Sequence, residues 1–569
     1  MTMSKVNYFI GELEKAVEKT TLDLQSQSTV TRLWQKDFTI WRSEENHKKS
    51  ILNRLGWLES VELMQKNAAQ LGSFSEEVRK SGFTHAVVLG MGGSSLCPDV
   101  CRFTFGLRKG YPELLVLDST NPSSVTRIEN SISLASTLFI VASKSGGTTE
   151  TNMFYRYFYD KVGQSKKGEA GSNFIAITDV GTQMETEAKE KKFLRIFVNP
   201  SDIGGRYSAL SYFGLVPMVV SGIDINRILK SAQSLIAVSR NPELKDNPAA
   251  MLGITLGEAW KAGRDKLTFI ASKEIETFAY WVEQLVAEST GKEGKGIIPI
   301  EGEGALPAYS DDRMFVLLRL ERDGDSFNAL RKRLYSEGHP VAEIILDNAY
   351  ELGGEFFRWE FATAIAAVVM HINPFDEPNV KESKDNTVRV IEGFKKTGSL
   401  PKQELLAENA ELEFYAEPAY EDILIAGSSD HSLAGLCRAH LNQCEPGDYV
   451  AILAYLDQNQ ENTRLLQELR QSVGACTKCA TTLGFGPRYL HSTGQLHKGG
   501  PPKGVFLLLT ADEPVDNKIP GEPFTFEVLK QAQAIGDYQS LAGRSLPIVR
   551  IHLGKEIEEG LKYLHSLVK

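Results

Sequence analysis

Short apolar runs alternate with helical patterns along most of this chain, and they fall into three successive units. The first unit has strand candidates at residues 86–89, 114–117, 137–142, 173–178 and 193–198. The second has them at residues 267–271, 296–300, 314–320 and 340–346, and the third at residues 422–426, 449–456, 478–483, 505–510 and 548–553. Because strands that alternate with helices form parallel sheets covered on both faces, the pattern predicts an α/β fold of successive doubly wound parallel sheets.

The chain ahead of these units has a different pattern. Residues 1–60 are amphipathic at helical spacing and contain Trp34, Trp41 and Trp57, which predicts a helical extension packed on the body of the protein. A long apolar helix is predicted over residues 355–371. We therefore expect an N-terminal helical extension at residues 1–60, a first domain at 61–235, a second domain at 236–415 and an additional C-terminal α/β segment at 416–569.

Composition and charge narrow the class of protein. The 569 residues are 42% hydrophobic and 24% charged, as in an ordinary globular chain, and the formal net charge is -10. This charge argues against a general nucleic-acid binder, so an anionic ligand requires a local cluster of donors. The longest apolar stretch, residues 361–372, is too short to span a bilayer, and the N-terminus lacks a signal-peptide pattern. We expect a cytoplasmic protein with no membrane partner.

The cysteines do not predict disulfides. They are Cys97, Cys101, Cys437, Cys444, Cys476 and Cys479. In a large cytoplasmic protein, free thiols are the expected state. Cys476 and Cys479 have CxxC spacing and could form a zinc site with Cys437 and Cys444, but no second close pair supports that alternative, so no metal is expected.

Two glycine-rich segments, residues 89–95 and 143–151, each follow a predicted strand and precede a helical pattern. In this setting the loop amides and a helix N-terminus hold an anion, and glycine lets the backbone approach it. Neither segment has the spacing of a dinucleotide-binding or Walker A motif, which disfavours a nucleotide. We predict that both segments bind the phosphate of a small molecule. The candidate phosphate-binding residues are Gly93, Ser94, Ser143, Lys144, Ser145 and Thr148.

Glu288 is a candidate general base. It ends a helical pattern at residues 276–288, and Gln284 lies one turn earlier on the same face. A carboxylate near a helix C-terminus meets an unfavourable dipole, which raises its pKa above the roughly 4.3 of a free glutamate and toward the working pH of a base. Position alone does not separate this interpretation from a solvated surface glutamate.

Three basic side chains are candidates for anion or proton chemistry. Arg206 follows Gly205 in a tight glycine turn, where its guanidinium could stabilise an oxyanion. His491 lies in a polar segment that ends in glycines, where it could transfer a proton. Lys384 completes the set. The alternative for Arg206 is a turn with a surface ion pair. For His491 it is a polar loop, and for Lys384 an exposed lysine.

Taken together, these motifs resemble the glucose-6-phosphate isomerase family, which is built from sugar-isomerase (SIS) domains. Residues 90–94 are similar to the family's Gly-Ile-Gly-Gly-Ser loop. Residues 143–151 are similar to its Ser-Lys-Thr-x-x-Thr-x-Glu-Thr loop, with Ser145 in place of the first threonine. Residues 203–208 match its Gly-Gly-Arg-Tyr/Phe-Ser signature, and residues 284–292 fit its Gln-x-x-x-Glu-Ser-x-Gly-Lys segment.

Two further motifs depart from the family pattern. Residues 373–384 resemble its Phe-Asp-Gln-x-Gly-Val-Glu-x-x-Lys signature, but Glu377 stands where the family has Gln, Asn379 where it has Gly, and Lys381 where it has Glu. The changes at Glu377 and Lys381 exchange charge near the expected site. Residues 491–495 resemble the bacterial His-Ser-Met-Gly-Gln motif, but they follow that signature, whereas in ordinary members they precede it.

This order of motifs resembles the isomerase half of bifunctional transaldolase/glucose-6-phosphate isomerase proteins, although no transaldolase barrel precedes it in this sequence. In ordinary members of the family, the ring-opening histidine comes from the partner subunit of a dimer. Here residues 416–569 are expected to supply His491 within one chain. A homodimer and a functional link to a transaldolase stay open as partner predictions.

The resemblance implies reversible aldose-ketose isomerisation of glucose 6-phosphate and fructose 6-phosphate through a cis-enediol, with no metal or organic cofactor. It implies that His491 and Lys384 assist opening of the sugar ring. It also implies that Glu288 moves a proton between C2 and C1, that Arg206 stabilises the enediolate and that Gln284 orients the sugar. The phosphate would be held by Ser94, Ser143, Lys144, Ser145 and Thr148.

The sequence argues against two alternative functions. A non-catalytic SIS-domain sugar-phosphate sensor needs only the two loops, so the joint presence of Glu288, Arg206, Lys384 and His491 argues against it. The isomerase part of glucosamine-6-phosphate synthase would follow a glutaminase domain that begins with cysteine, whereas this sequence begins with methionine.

Overall fold

One strand and four helices form the N-terminal part of the chain. The computed structural model describes residues 4–304 and 306–568. Its first elements are β1 (Lys5–Phe9), α1 (Glu14–Ser26), α2 (Thr29–Trp34), α3 (Glu45–Leu52) and α4 (Trp57–Lys80). The extension predicted as helical at residues 1–60 therefore contains a strand, and its residues 1–3 lie outside the described part. In β1, Lys5 and Asn7 are exposed while Val6 and Tyr8 are half-buried, and this period of two is that of a strand.

The first unit folds into a five-stranded parallel sheet. Strand order is β3-β2-β4-β5-β6. Alternate strand residues enter cores on opposite faces, with Val88 in one core and Val87 in the other. The order reverses between β2 and β4, so the carboxyl ends of these strands border the crevice where such sheets bind ligands. The elements are β2 (His85–Gly90), α5 (Leu96–Phe105), β3 (Glu113–Leu117), α6 (Pro122–Ser131), β4 (Thr137–Ala142), α7 (Thr149–Ser165), β5 (Phe174–Asp179), α8 (Gln183–Glu190) and β6 (Arg195–Asn199).

The second unit forms a sheet of order β1-β10-β9-β7-β8, in which β1 is antiparallel and the other pairs are parallel. Three helices precede it: α9 (Tyr212–Val220), α10 (Ile225–Ser239) and α11 (Pro248–Lys261). Its own elements are β7 (Lys266–Ala271), α12 (Phe278–Thr290), β8 (Ile298–Ile300), β9 (Arg313–Leu320), α13 (Gly324–Ser336), β10 (Val341–Leu346), α14 (Leu352–Met370) and α15 (Val380–Thr397).

Helix α14 lies at the centre of the molecule and is buried along its whole length. It is the long apolar helix predicted near residues 355–371, and α10, α11 and α12 pack against it. The N-terminal tryptophans reach the same helix: the Trp34 and Trp57 rings lie 6.1 and 5.7 Å from the Phe357 ring, and Trp41 Nε1 donates to the Ala364 oxygen at 2.8 Å. Within the described residues, no helix combines the length and apolar character that crossing a membrane requires.

The third unit forms a six-stranded sheet of order β11-β12-β16-β15-β13-β14. Strands β16, β15, β13 and β14 are parallel, and β12 and β11 add antiparallel strands at one edge. The elements are β11 (Ala407–Glu408), β12 (Glu413–Tyr415), α16 (Pro418–Gly427), α17 (Leu433–Leu441), β13 (Tyr449–Tyr455), α18 (Gln460–Thr477), β14 (Ala480–Phe485), α19 (Gly494–Gly499), β15 (Gly504–Thr510), α20 (Phe526–Ala542), β16 (Ile548–His552) and α21 (Ile557–Val568).

The strand predicted at residues 422–426 is wrong, because this segment is part of helix α16. A short apolar run fits a strand or a helix equally well by periodicity. Two features favour the helix. Pro418 occupies a first helical position, where its missing N–H costs nothing, and Leu424 is the buried residue of the helix.

A buried ion pair joins the second and third sheets. Arg313 Nη1 on β9 lies 2.8 Å from Glu303 Oε2, and both side chains are almost fully buried. Glu303 Oε1 accepts hydrogen bonds from the backbone N–H and the hydroxyl of Thr481 on β14, at 2.8 and 3.0 Å. Because the carboxylate contacts both sheets, the two buried charges are fully compensated only when the sheets are docked.

We expect Glu303→Ala to destabilise the folded chain strongly, because it leaves Arg313 buried without its counter-charge. Breaking a buried pair in this way costs about 3–5 kcal/mol. The measurement is the free energy of unfolding in urea. Glu77→Ala removes the exposed partner of Arg195 and should change stability far less. Equal losses in the two variants would contradict the importance of the buried pair.

Candidate active site

The two glycine-rich segments lie side by side at the carboxyl ends of β2 and β4. Gly90 pairs with Ala142 at the last register position of these strands. The half-buried Ser94 ends a short 3₁₀ turn after β2. Ser143 is buried, and its hydroxyl donates to Thr148 Oγ1 at 3.1 Å just before α7 begins. Both segments therefore border the crevice at which the order of the first sheet reverses.

The first segment is packed tightly against residues from later in the chain. A Cβ atom at Gly93 would lie 1.9 Å from the Gly205 oxygen. Gly92 has a φ of +54°, and a Cβ atom there would lie 2.8 Å from both Gln284 Nε2 and the His491 oxygen. The absence of side chains at these positions allows the loop to contact the arginine turn, α12 and the histidine segment.

Lys144 and Ser145 have different surroundings. The Lys144 ammonium is bound by the Asp179 carboxylate and by the Ser201 oxygen, the latter at 2.7 Å. Since Ser201 begins the segment that leads to Arg206, Lys144 links the second glycine-rich segment to the arginine turn. Ser145 is exposed, and its Oγ accepts from the Gly147 N–H at 3.2 Å.

Arg206 is buried, with a side chain only 4% exposed, and its guanidinium is surrounded by acceptors. Nη1 lies 3.2 Å from Glu288 Oε2 and 3.1 Å from Glu377 Oε2. Nε donates to Ser289 Oγ at 2.9 Å, and Nη2 donates to two carbonyl oxygens of residues 374–377. These contacts exclude a surface ion pair as the explanation of this arginine.

Glu288 lies in the last turn of α12 and is 8% exposed, which excludes a solvated surface glutamate. Burial raises its pKa to about 7; Arg206 opposes this rise and the Glu377 carboxylate adds to it. A carboxyl group with a pKa near neutrality is able to take up and release a proton at physiological pH.

His491 pairs with a carboxylate from the first unit. It lies in the turn Arg488–His491 after β14, and its Nε2 is 3.0 Å from Glu150 Oε1. Its backbone oxygen accepts from Gln284 Nε2 at 2.7 Å. Gln284 is one turn before Glu288 on α12, so the histidine segment and the buried acid meet within one chain.

Sequence reasoning did not single out Glu150 as a site residue, although it lies in the second glycine-rich segment. Its side chain is buried in the first turn of α7. Burial raises the pKa of Glu150. The contacts with the His491 imidazole and, more weakly, the Lys384 charge together lower this pKa by more than burial raises it, so that it lies below its usual value. The signal in the sequence was an acidic residue at a helix N-terminus, where the helix dipole favours a carboxylate.

A cavity of about 100 Å³ opens beside the His491–Glu150 pair. Lys384 on α15 and Thr148 line it together with that pair. Lys498 on α19 also lines it, and its ammonium is paired with Asp537, 2.6 Å from Oδ1. The structure thus brings Lys384, His491 and the end of the second glycine-rich segment to one space.

Lys292 is a second buried charge that sequence reasoning did not assign. Burial lowers its pKa to about 8, and its Nζ lies 2.8 Å from Asp376 Oδ1. The Asp376 backbone oxygen also accepts from Arg206 at 2.9 Å. Two cations from different segments therefore hold the stretch that carries Glu377.

The cysteine positions do not assemble into a four-ligand site. The Cys444 and Cys479 sulphur atoms are 2.6 Å apart, Cys437 is buried within α17, and Cys476 is exposed. Over residues 4–304 and 306–568, no three His, Cys, Asp or Glu side chains are grouped as metal ligands.

Known proteins match part of this chain. Residues 49–298 match the family model for phosphoglucose isomerase. The glucose-6-phosphate isomerase of Prochlorococcus marinus is 28% identical over 352 residues, which cover 54% of this chain and 66% of that protein. The glucose-6-phosphate isomerase of Nostoc punctiforme is 27% identical over 380 residues, covering 57% of this chain and 70% of that protein. The match to the first relative thus spans slightly less than two thirds of its length.

A solved structure supports the α/β fold. The crystal structure of a hypothetical protein from Thermus thermophilus superposes with a TM-score of 0.56 at 22% identity, covering 68% of this chain and 99% of that chain. At this identity, the likeness concerns the fold. Lys384 and His491 lie beyond the residues that the family model matches.

We expect Gly93→Ala to lower the midpoint of thermal unfolding and to displace the first glycine-rich segment, because the added Cβ would overlap the Gly205 oxygen. Overpacking of this kind costs about 1–3 kcal/mol. Gly72→Ala in α4 is the matched control, since a Cβ there has open space, and its midpoint should not fall. Calorimetry measures both; unchanged stability in Gly93→Ala would contradict the tight contact.

Proposed function

We propose that this chain interconverts glucose 6-phosphate and fructose 6-phosphate, and the proposal starts from the match of residues 49–298 to the family model for phosphoglucose isomerase. The observation that carries the proposal is the buried Glu288, which has a pKa of about 7 and lies beside Arg206. A base and a cation in contact suit proton transfer next to a carbonyl group, because the cation stabilises the negative charge that develops.

The phosphate of the substrate is held at the first sheet. Loop amides at the carboxyl ends of β2 and β4 donate to it, and the hydroxyls of Ser94, Ser143, Ser145 and Thr148 add further donors. Gly93 and Gly205 keep the surrounding backbone close. Lys144 contributes positive charge from its position beside Asp179. The N-terminus of α7 strengthens the attraction for an anion.

Ring opening is assigned to His491, with Glu150 behind it. The imidazole, held by the Glu150 carboxylate, gives a proton to the ring oxygen as the C1–O bond breaks, while the C1 hydroxyl passes its proton to a water molecule, from which the imidazole regains its own. The net proton count does not change. Lys384 lines the same cavity and supplies a positive charge near the polar ring atoms. The Glu150 carboxylate, 3.0 Å from His491 Nε2, orients the imidazole for this step.

Isomerisation follows in the open chain. Glu288 takes the proton from C2, which the adjacent carbonyl makes acidic, and the enediolate oxygen receives positive charge from Arg206. The hydroxyl proton on O2 then moves to O1, and Glu288 returns its proton at C1, which leaves a carbonyl at C2 and converts the aldose into the ketose. Gln284 orients the sugar beside the base. The carbonyl and the protein charges do the chemistry in this scheme, so it uses no metal or organic cofactor.

The partners and the location form part of the same proposal. The order of motifs favours the isomerase half of a transaldolase/isomerase pair, and we propose a transaldolase as a functional associate. Because the His491 backbone contacts Gln284, one turn before Glu288, within one chain, the proposed reaction does not require a residue from a second subunit. A homodimer stays a prediction, as does a cytoplasmic location.

A sugar-phosphate sensor is less well supported than an enzyme. A sensor would need the two glycine-rich segments but no acid whose pKa is tuned to neutrality. Burying Glu288 against Arg206 costs free energy of desolvation. Binding alone does not require this cost, whereas proton transfer does.

We expect Glu288→Gln to lower kcat by about 10²- to 10⁴-fold, as is typical when a general base is removed, with sugar-phosphate binding retained. A dehydrogenase-coupled assay of glucose 6-phosphate formed from fructose 6-phosphate measures turnover, and calorimetry measures binding. Glu276→Gln, at an exposed position before α12, is the control and should keep wild-type turnover. Full turnover in Glu288→Gln would disprove the assigned base. Binding without turnover in the unmodified chain would favour the sensor.

We expect Glu377→Gln to shift the acidic limb of the kcat/KM profile to lower pH. The negative charge of Glu377 raises the Glu288 pKa, so its removal lets Glu288 lose its proton at lower pH. The base must be ionised, and kcat/KM therefore rises with pH through the Glu288 pKa, near 7 in the unmodified chain. Glu411→Gln on the surface should leave the profile unchanged. A shift to higher pH in Glu377→Gln would contradict this assignment.

A further inference from the structure

Gln533 on α20 contacts the carboxylate that holds His491. Its side chain is 3% exposed, and its Nε2 donates to Glu150 Oε1 at 2.7 Å. Its Oε1 accepts from Thr120 Oγ1, also at 2.7 Å. An ionised carboxylate only accepts hydrogen bonds, so the NH₂ group must face Glu150 and the amide oxygen must face the Thr120 hydroxyl. The orientation of the amide is therefore determined by its two partners.

The same carboxylate oxygen receives two donors. His491 Nε2 lies 3.0 Å from Glu150 Oε1, and Gln533 Nε2 approaches that oxygen from the third unit at 2.7 Å. Two N–H groups on one buried oxygen favour its charged form and restrict rotation of the carboxylate. The direction in which Glu150 presents its charge to the imidazole thus depends on the amide of Gln533.

We propose that Gln533 is a positioning residue for ring opening, which holds Glu150 in the orientation and charge state that His491 requires, and that Thr120 fixes the amide. This inference rests on the proposed isomerase function. The third unit then supplies both the histidine and the side chain that aligns its partner. Gln533 also lines the cavity beside His491, but its amide nitrogen and oxygen are occupied by Glu150 and Thr120, so in this scheme it acts through Glu150.

The charged groups near Glu150 come from several elements. His491 faces it from the turn after β14, and Lys384 acts on it from α15. Tyr455 on β13 is close enough for the Glu150 charge to raise its pKa, a smaller effect than its burial. Gln533 is neutral, so replacing it with glutamate would put a second carboxylate against Glu150. Two carboxyl groups at this distance share one proton, because both cannot ionise cheaply.

The test uses the full chain and compares Gln533→Leu, Gln533→Glu and Thr120→Val in the coupled assay. We expect Gln533→Leu to lower kcat about tenfold with KM within about twofold, the scale of one lost hydrogen bond to a charged group. Thr120→Val retains the volume of the side chain and should lower kcat by a smaller factor, about threefold, because the amide keeps its contact with Glu150. Gln539→Leu, at an exposed position on the same helix, should behave as the unmodified chain.

The pH dependence of Gln533→Glu separates positioning from a merely structural role. At low pH the added carboxyl group is protonated and donates to Glu150 as the amide did, so kcat relative to the unmodified chain should be highest there. As pH rises and the shared proton is lost, repulsion between the carboxylates should lower this ratio at least tenfold over the range from about pH 6 to pH 9. Damage to the fold would lower the ratio at every pH.

Two results would overturn the proposal. One is a wild-type kcat in both Gln533→Leu and Thr120→Val. The other is a Gln533→Glu ratio that does not change with pH. In either case, turnover by the unmodified chain would leave the isomerase assignment intact, whereas absence of turnover in the unmodified chain would overturn the proposed function itself. A thermal unfolding transition shows whether each variant folds. If Gln533→Leu does not fold, Thr120→Val is a milder substitution that still tests the proposal.

Discussion

The buried guanidinium of Arg206 is the charge on which the site depends. A buried cation is costly unless acceptors surround it, and this one is surrounded by oxygens from α12 and from residues 374–377. Those partners come from different parts of the chain, so the cation can be satisfied only when they have assembled. In the assembled site, Gly205 lies against Gly93, and Glu288 lies in a buried environment that raises its pKa.

The sequence pointed to those residues of the candidate site whose signal is local. Gly93 and Ser143 are in segments recognisable from glycine and hydroxyl content next to a strand, and Glu288 was identified by its place near a helix end. The β/α alternation predicted the parallel sheet that carries these segments, whereas the strand order that places them side by side is an observation of the structure. The strand β1 and the helix α16 were not predicted, because a few residues carry too little periodicity to decide between helix and strand.

Partners that lie far apart in the chain were beyond prediction from the sequence. Nothing in the sequence around Glu150 indicates that its partners are His491 and Gln533, since these contacts depend on how the third sheet docks on the first. The pairing of Lys144 with Asp179 could not be predicted either, because the two residues lie at or just after the ends of adjacent strands and meet only when the first sheet has formed. Motifs identify the chemistry available, whereas packing determines which groups share a proton or a charge.

The division of the site among three units has a consequence for biosynthesis. The ribosome releases the two glycine-rich segments first, then α12 with Glu288, and only near the end the histidine turn and α20. Before the third unit is made, the glycine-rich segments and the helix that carries the base have been synthesised, whereas His491 and the amide beside Glu150 have not. Under the proposed function, such an intermediate would contain the phosphate-binding segments but lack the ring-opening histidine. Under the proposed function, the addition of the third unit, rather than the folding of either earlier unit, would therefore convert a sugar-phosphate receptor into a catalyst.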